Sequence, residues 1–285
     1  MAIGVYDFFS GCGGTSAGLR SAGFRIALGV DNDSNASQTF KANFPDAEFI
    51  SDDIALVEPK HITAKMYPRD DAMLFCGCAP CQPFSRQNKR RGKDDPRFNL
   101  LGYFGKFITH FLPEYIFVEN VPGLQRLNAD GSPLNAFTEL LESLGYKVTV
   151  DKVNCLHFGI PQKRVRLVVL ASRLGPISFP KKTHGPDTSN PDYATVRNAI
   201  EDLPEIQAGE TDKNIPNHYA SRLSVINMER IKATPVGGRR EDWPDKLVLK
   251  CHQGDYDGHS DVYGRLRWDE PSITLTARCN SLSNG

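Results

Sequence analysis

The chain has 285 residues, 40% hydrophobic and 24% charged, and its 34 basic and 34 acidic side chains cancel to a net charge of zero. That length holds one large domain plus a smaller one, each with its own core. Zero net charge excludes a simple polycation that coats nucleic acid, though not a local basic groove, and no apolar run approaches the roughly 20 residues of a membrane span.

The predicted elements follow in chain order. Residues 5–9 form a short apolar strand that runs into a glycine-rich turn, and residues 15–22 read as a helix with Gly23 as its C-cap. Residues 25–30 are a second strand, followed by a helix over 34–44 closed by Pro45. Residues 73–76 and 115–118 are buried strands by their unbroken apolar character. Ser132-Pro133 opens a helix that runs to Leu144, with Gly145 just past its end. Residues 147–154 and 166–171 are further strands and expected neighbours. Strand–helix alternation at this spacing predicts an α/β fold with a mostly parallel, doubly wound sheet over residues 1–172. After Ser172 prolines become frequent and helical periodicity fades, apart from one short helix over 196–203, so 173–285 reads as a smaller, loop-rich domain.

The N-terminus carries no basic segment ahead of its apolar residues, so no secretory signal is read. The seven cysteines are odd in number and irregularly spaced, which fits free thiols in a reducing compartment better than a disulfide framework. A cytoplasmic protein is expected.

Two stretches carry chemistry. In Asp7-Phe8-Phe9-Ser10-Gly11-Cys12-Gly13-Gly14-Thr15, glycines follow the first strand at the sheet edge where doubly wound folds bind ligands. Glycine admits close approach to the backbone, and the helix start offers free N–H groups. Asp31 ends the second strand, where a ribose hydroxyl could bind, and Asp53, near the end of the third, could accept from an adenine amino group. A tight turn without ligand, and acids that merely face solvent, are the bland alternatives. The second stretch is Gly77-Cys78-Ala79-Pro80-Cys81-Gln82-Pro83-Phe84-Ser85. Two prolines stiffen the backbone around Cys81, and a thiol held rigidly at a strand end is suited to nucleophilic attack. Cys76-x-Cys78-x-x-Cys81 as a metal site would need a fourth ligand, and no second Cys/His pair with zinc spacing occurs. Cys76, on the strand itself, reads as inert core. From Arg86 to Arg97 six basic residues face only Asp94 and Asp95, which gives a segment able to lower a thiol pKa or hold phosphates, or simply a solvated charge run.

At this point the chain resembles the DNA cytosine-5 methyltransferase family. Residues 77–85 resemble its Pro-Cys motif, residues 7–14 its first motif, Val118-Glu119-Asn120-Val121 its Glu-Asn-Val motif, and Gln162-Lys163-Arg164-Val165-Arg166 its Gln-x-Arg-x-Arg motif, in the family's order over residues 3–171. The resemblance implies a Rossmann-like catalytic domain that binds S-adenosylmethionine through Phe8, Ser10, Gly11, Gly13, Gly14, Asp31, Asp53 and Leu100, releasing S-adenosylhomocysteine. It implies Cys81, Glu119 and Arg166 as catalytic residues. Pro80, Gln82, Ser85, Asn120, Gln162 and Arg164 would serve the loop or the DNA, and residues 173–285 would recognise the target. Carbon 5 of cytosine is a poor nucleophile; a thiolate added at carbon 6 enriches it, and the ring must accept the displaced density, which a carboxyl that protonates or hydrogen-bonds N3 assists. Glu119, ending a hydrophobic strand, is placed for that, with the guanidinium of Arg166 to orient it. A base inside a duplex cannot reach such a pocket, so base flipping is implied, with residues 86–93 as the mobile loop. Double-stranded DNA is the expected partner, and a restriction-modification setting the expected context.

The resemblance also implies later motifs, including a Gly-Asn motif at the cofactor pocket, and neither precedes Gly285. A second polypeptide that supplies them, a shortened chain or a decayed gene are the open alternatives. The rival functions are a tRNA cytosine-5 methyltransferase, whose Cys-Phe-Thr tripeptide is not found here, and a non-catalytic DNA-binding relative.

Overall fold

The computed structural model describes residues 3–65, 72–80, 99–122, 132–253, 262–275 and 282. The chain divides into two compact units, residues 1–153 with 165–180, and residues 154–164 with 181–285.

The first unit is built on seven strands: β1 (Ile3–Phe8), β2 (Arg25–Val30), β3 (Glu48–Ile50), β4 (Ala72–Gly77), β5 (Tyr115–Asn120), β6 (Lys147–Asn154) and β7 (Val165–Ser172). They lie in the order β3-β2-β1-β4-β5-β7-β6. The pairs β1–β2, β2–β3, β1–β4 and β4–β5 are parallel, and β5–β7 is antiparallel. The expected fold class is therefore found, as a mixed sheet of mostly parallel strands.

Alternation along β1 shows how the sequence builds both faces, because successive side chains leave a strand on opposite sides. Tyr6 and Phe8 enter one cluster with Phe75, Phe104, Phe107 and Ile108. Val5 enters the other with Ile26, Phe40, Phe44, Leu74 and Cys76. Helices α4 (Leu100–Phe111) and α5 (Pro133–Ser143) contribute to the first cluster. Helices α1 (Gly14–Ser21) and α2 (Ser34–Asn43) pack on the second. Fully burying each such aromatic side chain stabilises the fold by roughly 1.5–3 kcal/mol. Helix α1 ends where expected, at Gly23 in the left-handed region (φ 92°). Helices α3 (Pro59–Thr63) and α4 in this unit, and the helix over Val225–Ala233 in the other, were not expected from the sequence.

The second unit holds the short helices α6 (Val196–Ile200) and α7 (Val225–Ala233) and several 3-10 turns. Its interior is partly polar. Trp243 is buried and donates its indole N–H to Thr234 Oγ1 at 2.8 Å, while the buried Arg230 guanidinium lies 5.5 Å from the Trp243 ring and donates to the Leu247 carbonyl. An open groove of about 540 Å³ is lined by Tyr219, Leu223, Met228, Ile231 and Leu266 among others. Among the described residues no helix is long and apolar enough to cross a membrane.

Candidate active site

The sheet order reverses between β1 and β4: from β1 the chain moves outward to β2 and β3, and from β4 to β5. Ligands of open α/β sheets bind at such a switch point, beyond the carboxyl ends of the strands. The glycine turn leaves β1 there, and residues 78–80 leave β4 beside it.

The turn is fixed by its own backbone. Ser10 N–H donates to the Val30 carbonyl at 3.0 Å, Gly13 N–H to the Ser10 carbonyl at 2.9 Å, and Gly11 N–H to Asp31 Oδ2 at 2.7 Å. Asp31 Oδ1 receives Asp33 N–H at 2.9 Å. Gly13 has φ 93°, and a Cβ there would sit 2.4 Å from the Phe44 ring, so the position admits no side chain. At Gly11 and Gly14, by contrast, an added Cβ meets nothing within 4 Å. A turn with open space above its glycines and a carboxylate at its rim fits the nucleoside part of S-adenosylmethionine.

Asp53 is exposed and its Oδ1 accepts Ala55 N–H, which leaves it at the surface beyond β3. Leu100 opens α4 and packs, half-buried, on the main core cluster. Phe8 needs correction as a cofactor residue. It is wholly buried, its ring 5.1, 5.2 and 5.0 Å from those of Phe75, Phe104 and Phe107. Strand alternation consumes Phe8 in the core and leaves Phe9, half-buried with φ 63°, at the turn. A bulky residue in the left-handed region is strained, and such strain gathers at functional sites. The period-two pattern Tyr6–Phe8 is the sequence signal that separates the two phenylalanines.

Asp7, within the first motif, has a structural task of its own. Gly13, the N-cap of α1, has no side chain to offer. Asp7 Oδ2 reaches across from β1 and accepts the Ser16 hydroxyl at 2.6 Å, and Ser16 N–H bonds to the same carboxyl. The strand thus caps the helix that follows it. Asp7 is 1% exposed, and its Oδ1 has no hydrogen-bond partner among the described residues. Burial pushes its pKa up to about 7, against the lowering effect of the Ser16 bonds, with a small further rise from Asp31.

On the other side of the switch point, Asn120 is buried at the end of β5, donates its Nδ2 to the Ala79 carbonyl at 3.1 Å and accepts Val121 N–H at 2.8 Å. It ties the loop after β4 to β5. Pro80 is exposed. The antiparallel register sets Glu119 opposite Val168 on β7. Arg166 Nε lies 2.6 Å from Glu119 Oε1, with the side chains 18% and 30% exposed. Arg166 also donates to the Val165 carbonyl at 2.9 Å, which anchors its fork. The carboxyl and guanidinium singled out from two separate motifs therefore meet at the crevice.

Cys81, Gln82 and Ser85, and the basic run 86–93, lie outside the described residues. Gln162 and Arg164 belong to the second unit, where Gln162 bridges to Ser272 and the Arg164 carbonyl accepts Cys155 N–H. Three arginines of that unit are engaged inside it: Arg265 with the Thr234 carbonyl, Arg267 with Glu270, and Arg240 with Glu241 and His252.

The described cysteines differ sharply in accessibility. Cys76 is buried, which raises its pKa well above the ordinary thiol value. Burial, with Asp7 nearby, pushes the Cys78 thiol up to about 12. Cys12, on the glycine turn, is exposed. Since the thiolate is the reactive form, iodoacetamide at mildly alkaline pH is expected to label Cys12 readily and to label Cys76 and Cys78 only after denaturation. Peptide mass mapping of native and unfolded samples checks this, and fast native labelling of Cys78 would contradict it.

Comparison with known proteins agrees with this geometry. Residues 3–278 match the model of the C-5 cytosine-specific DNA methylase family. Type II methylase M.HgiDII of Herpetosiphon aurantiacus is 36% identical over 286 residues, which cover 100% of this chain and 78% of the relative. Type II methyltransferase M1.HphI of Haemophilus parahaemolyticus is 33% identical over 279 residues, or 97% of this chain and 71% of the relative. Among solved structures, one described as a DNA modification methyltransferase from an Escherichia coli prophage superposes with a TM-score of 0.71 at 23% identity, covering 96% of this chain and 82% of that one, a likeness of fold. With the glycine turn, the switch-point crevice and the Glu119–Arg166 pair in place, the chain belongs to the C-5 cytosine-specific DNA methylases, which methylate DNA cytosine from S-adenosylmethionine.

Proposed function

We propose that the protein acts on a cytosine flipped out of a specific duplex DNA sequence, through a transient bond from Cys81 to carbon 6. The observation that carries this reading is the Glu119–Arg166 ion pair of 2.6 Å at the carboxyl end of β5, beside the loop that leads within one residue of Pro80 to Cys81. In this reading Cys81 forms the S–C6 bond as a thiolate, and the electron pair of the C5–C6 double bond moves to C5. Glu119 hydrogen-bonds N3 and steadies the charge that develops on the ring, and Arg166 holds Glu119 in position and contacts O2. The C5 pair then takes the methyl group that bound S-adenosylmethionine would supply from its sulfonium, and the S–CH3 electron pair stays on sulfur in S-adenosylhomocysteine. Loss of the C5 proton to a base or water then restores the double bond and expels Cys81. Ser10, Gly11, Gly13, Gly14, Asp31, Asp53, Leu100 and Phe9 would hold the cofactor. Pro80, Gln82, Ser85, Asn120, Gln162 and Arg164 would support the loop or contact DNA.

Residues 1–172 would form the catalytic domain and 173–285 the target-recognition domain of a cytoplasmic restriction-modification methylase. A second polypeptide that supplies further motifs has no support from the comparisons. Incubating the chain with methyl-labelled S-adenosylmethionine and either duplex DNA or tRNA tests the reading. Label is expected in duplex DNA, at one sequence by bisulfite mapping, and duplex carrying 5-fluorocytosine should trap the Cys81 peptide. Label in tRNA alone, or methylated DNA with no trapped Cys81, would sink it. Activity of the 285-residue chain by itself would remove any need for a second polypeptide.

A further inference from the structure

Cys78 is neither the nucleophile nor a core residue like Cys76. It lies three residues before Cys81 and within hydrogen-bond distance of the cofactor turn's helix. Its Sγ is 3.4 Å from Oγ1 of Thr15, in the first turn of α1 just after the last glycine of the cofactor turn. The next residue along, Ala79, is tied to β5 through Asn120.

Each connection ends on a part of the site already described. Thr15 is followed by Ser16, which Asp7 clamps to β1, so the first turn of α1 is fixed from below and Thr15 has a definite position. The residue after Cys78, Ala79, is fixed from the β5 side. We infer that the Thr15–Cys78 contact is the joint that holds the cofactor turn and the nucleophile loop in one geometry, with Cys78 as a positioning residue for methyl transfer. A methyl group moves between a donor seated on the turn and a base bonded to the loop, so the separation of these two segments sets the reacting distance. Displacement by about 1 Å in such an arrangement can cost about a hundredfold in rate. The thiol is suited to the position because burial keeps it protonated, so it supplies a hydrogen bond without a second negative charge beside the Asp7 and Glu119 carboxyls.

This inference rests on the methyltransferase reading, and the test separates the two. Cys78→Ala, Cys78→Ser, Thr15→Val and the Cys78→Ala/Thr15→Val double variant are compared with the parent chain. Four quantities are measured: S-adenosylmethionine affinity by titration calorimetry without DNA, DNA affinity without cofactor, single-turnover methyl transfer, and the thermal midpoint. Losing one hydrogen bond corresponds to roughly a threefold to tenfold change in an equilibrium constant. Cys78→Ala and Thr15→Val are each expected to weaken cofactor binding by about that factor and to slow transfer by about tenfold or more, with DNA affinity unchanged. The double variant should be no worse than the weaker single one, since both remove the same contact, and Cys78→Ser should restore most of the loss. Independent, multiplying effects of the two singles would overturn the joint. So would a serine variant as impaired as alanine, or loss of transfer that merely tracks the thermal midpoint. If the parent chain itself fails to bind S-adenosylmethionine, the functional reading has failed, and the joint with it.

Discussion

Glu119→Gln is expected to lower the single-turnover rate of methyl transfer by about 10²–10⁴, the range that a positioned acid or base contributes. Glutamine keeps the shape and one acceptor oxygen, so the side chain still fits between β5 and β7. It loses the negative charge that meets Arg166 at 2.6 Å and the ability to donate a carboxyl proton. Affinities for S-adenosylmethionine and for DNA should stay within a few-fold, because the defect lies in the step rather than in binding. Arg166→Ala should fall in the same range, and Arg166→Lys should recover only part of it, since an ammonium lacks the planar fork. The two residues act as one unit, so Glu119→Gln with Arg166→Ala should cost little more than the worse single change. A Glu119→Gln enzyme within about threefold of the parent rate would remove Glu119 from the chemistry, whatever the geometry suggests.

Asp7→Asn is expected to make the cofactor-free protein more stable, by an amount that grows with pH. Burial raises the folded-state pKa of Asp7 from 3.8 to about 7. An acid of this kind holds its proton more tightly when folded, so its contribution to stability is intact below about pH 4. That contribution is lost as pH rises toward 7, and the loss then levels off. Asparagine keeps an oxygen for Ser16 and has no charge to bury. The gap in unfolding free energy between variant and parent should therefore widen by about 2 kcal/mol between about pH 5 and about pH 7.5. Urea unfolding at the two pH values measures it. Parallel pH dependences would show that Asp7 does not titrate differently on folding. A gain in stability paired with weaker cofactor binding would show why a carboxyl is kept there.

Local pattern carried much of the fold. The bounds 25–30 and 147–154 read from the sequence coincide with β2 and β6, the first an apolar run and the second a segment rich in β-branched residues just after the turn residue Gly145. The start of α5 at Pro133 was legible because proline favours the first helical position. Helix α4 was not. Its buried residues Leu101, Phe104, Gly105 and Ile108 follow helical spacing, yet its aromatic and β-branched side chains and two glycines have poor helix propensity. Packing of those side chains against β1 and β4 outweighs the propensity.

By itself the sequence determined the order of chemical parts along the chain: a glycine turn after the first strand, a cysteine between prolines after the fourth, a Glu-Asn pair ending the fifth, and an arginine at the start of the last. Spacing and turn chemistry are local properties, so they can be read in one dimension. Only the tertiary structure decided which parts touch. Glu119 and Arg166 meet because β7 runs antiparallel beside β5. Asp7 caps α1 because the glycine turn folds the helix back over its own strand. Phe8 is core while Phe9, past the end of the strand and in the left-handed region, is left half-buried at the turn. Each of these depends on strand pairing and burial, which the whole core fixes at once and no short window of sequence contains.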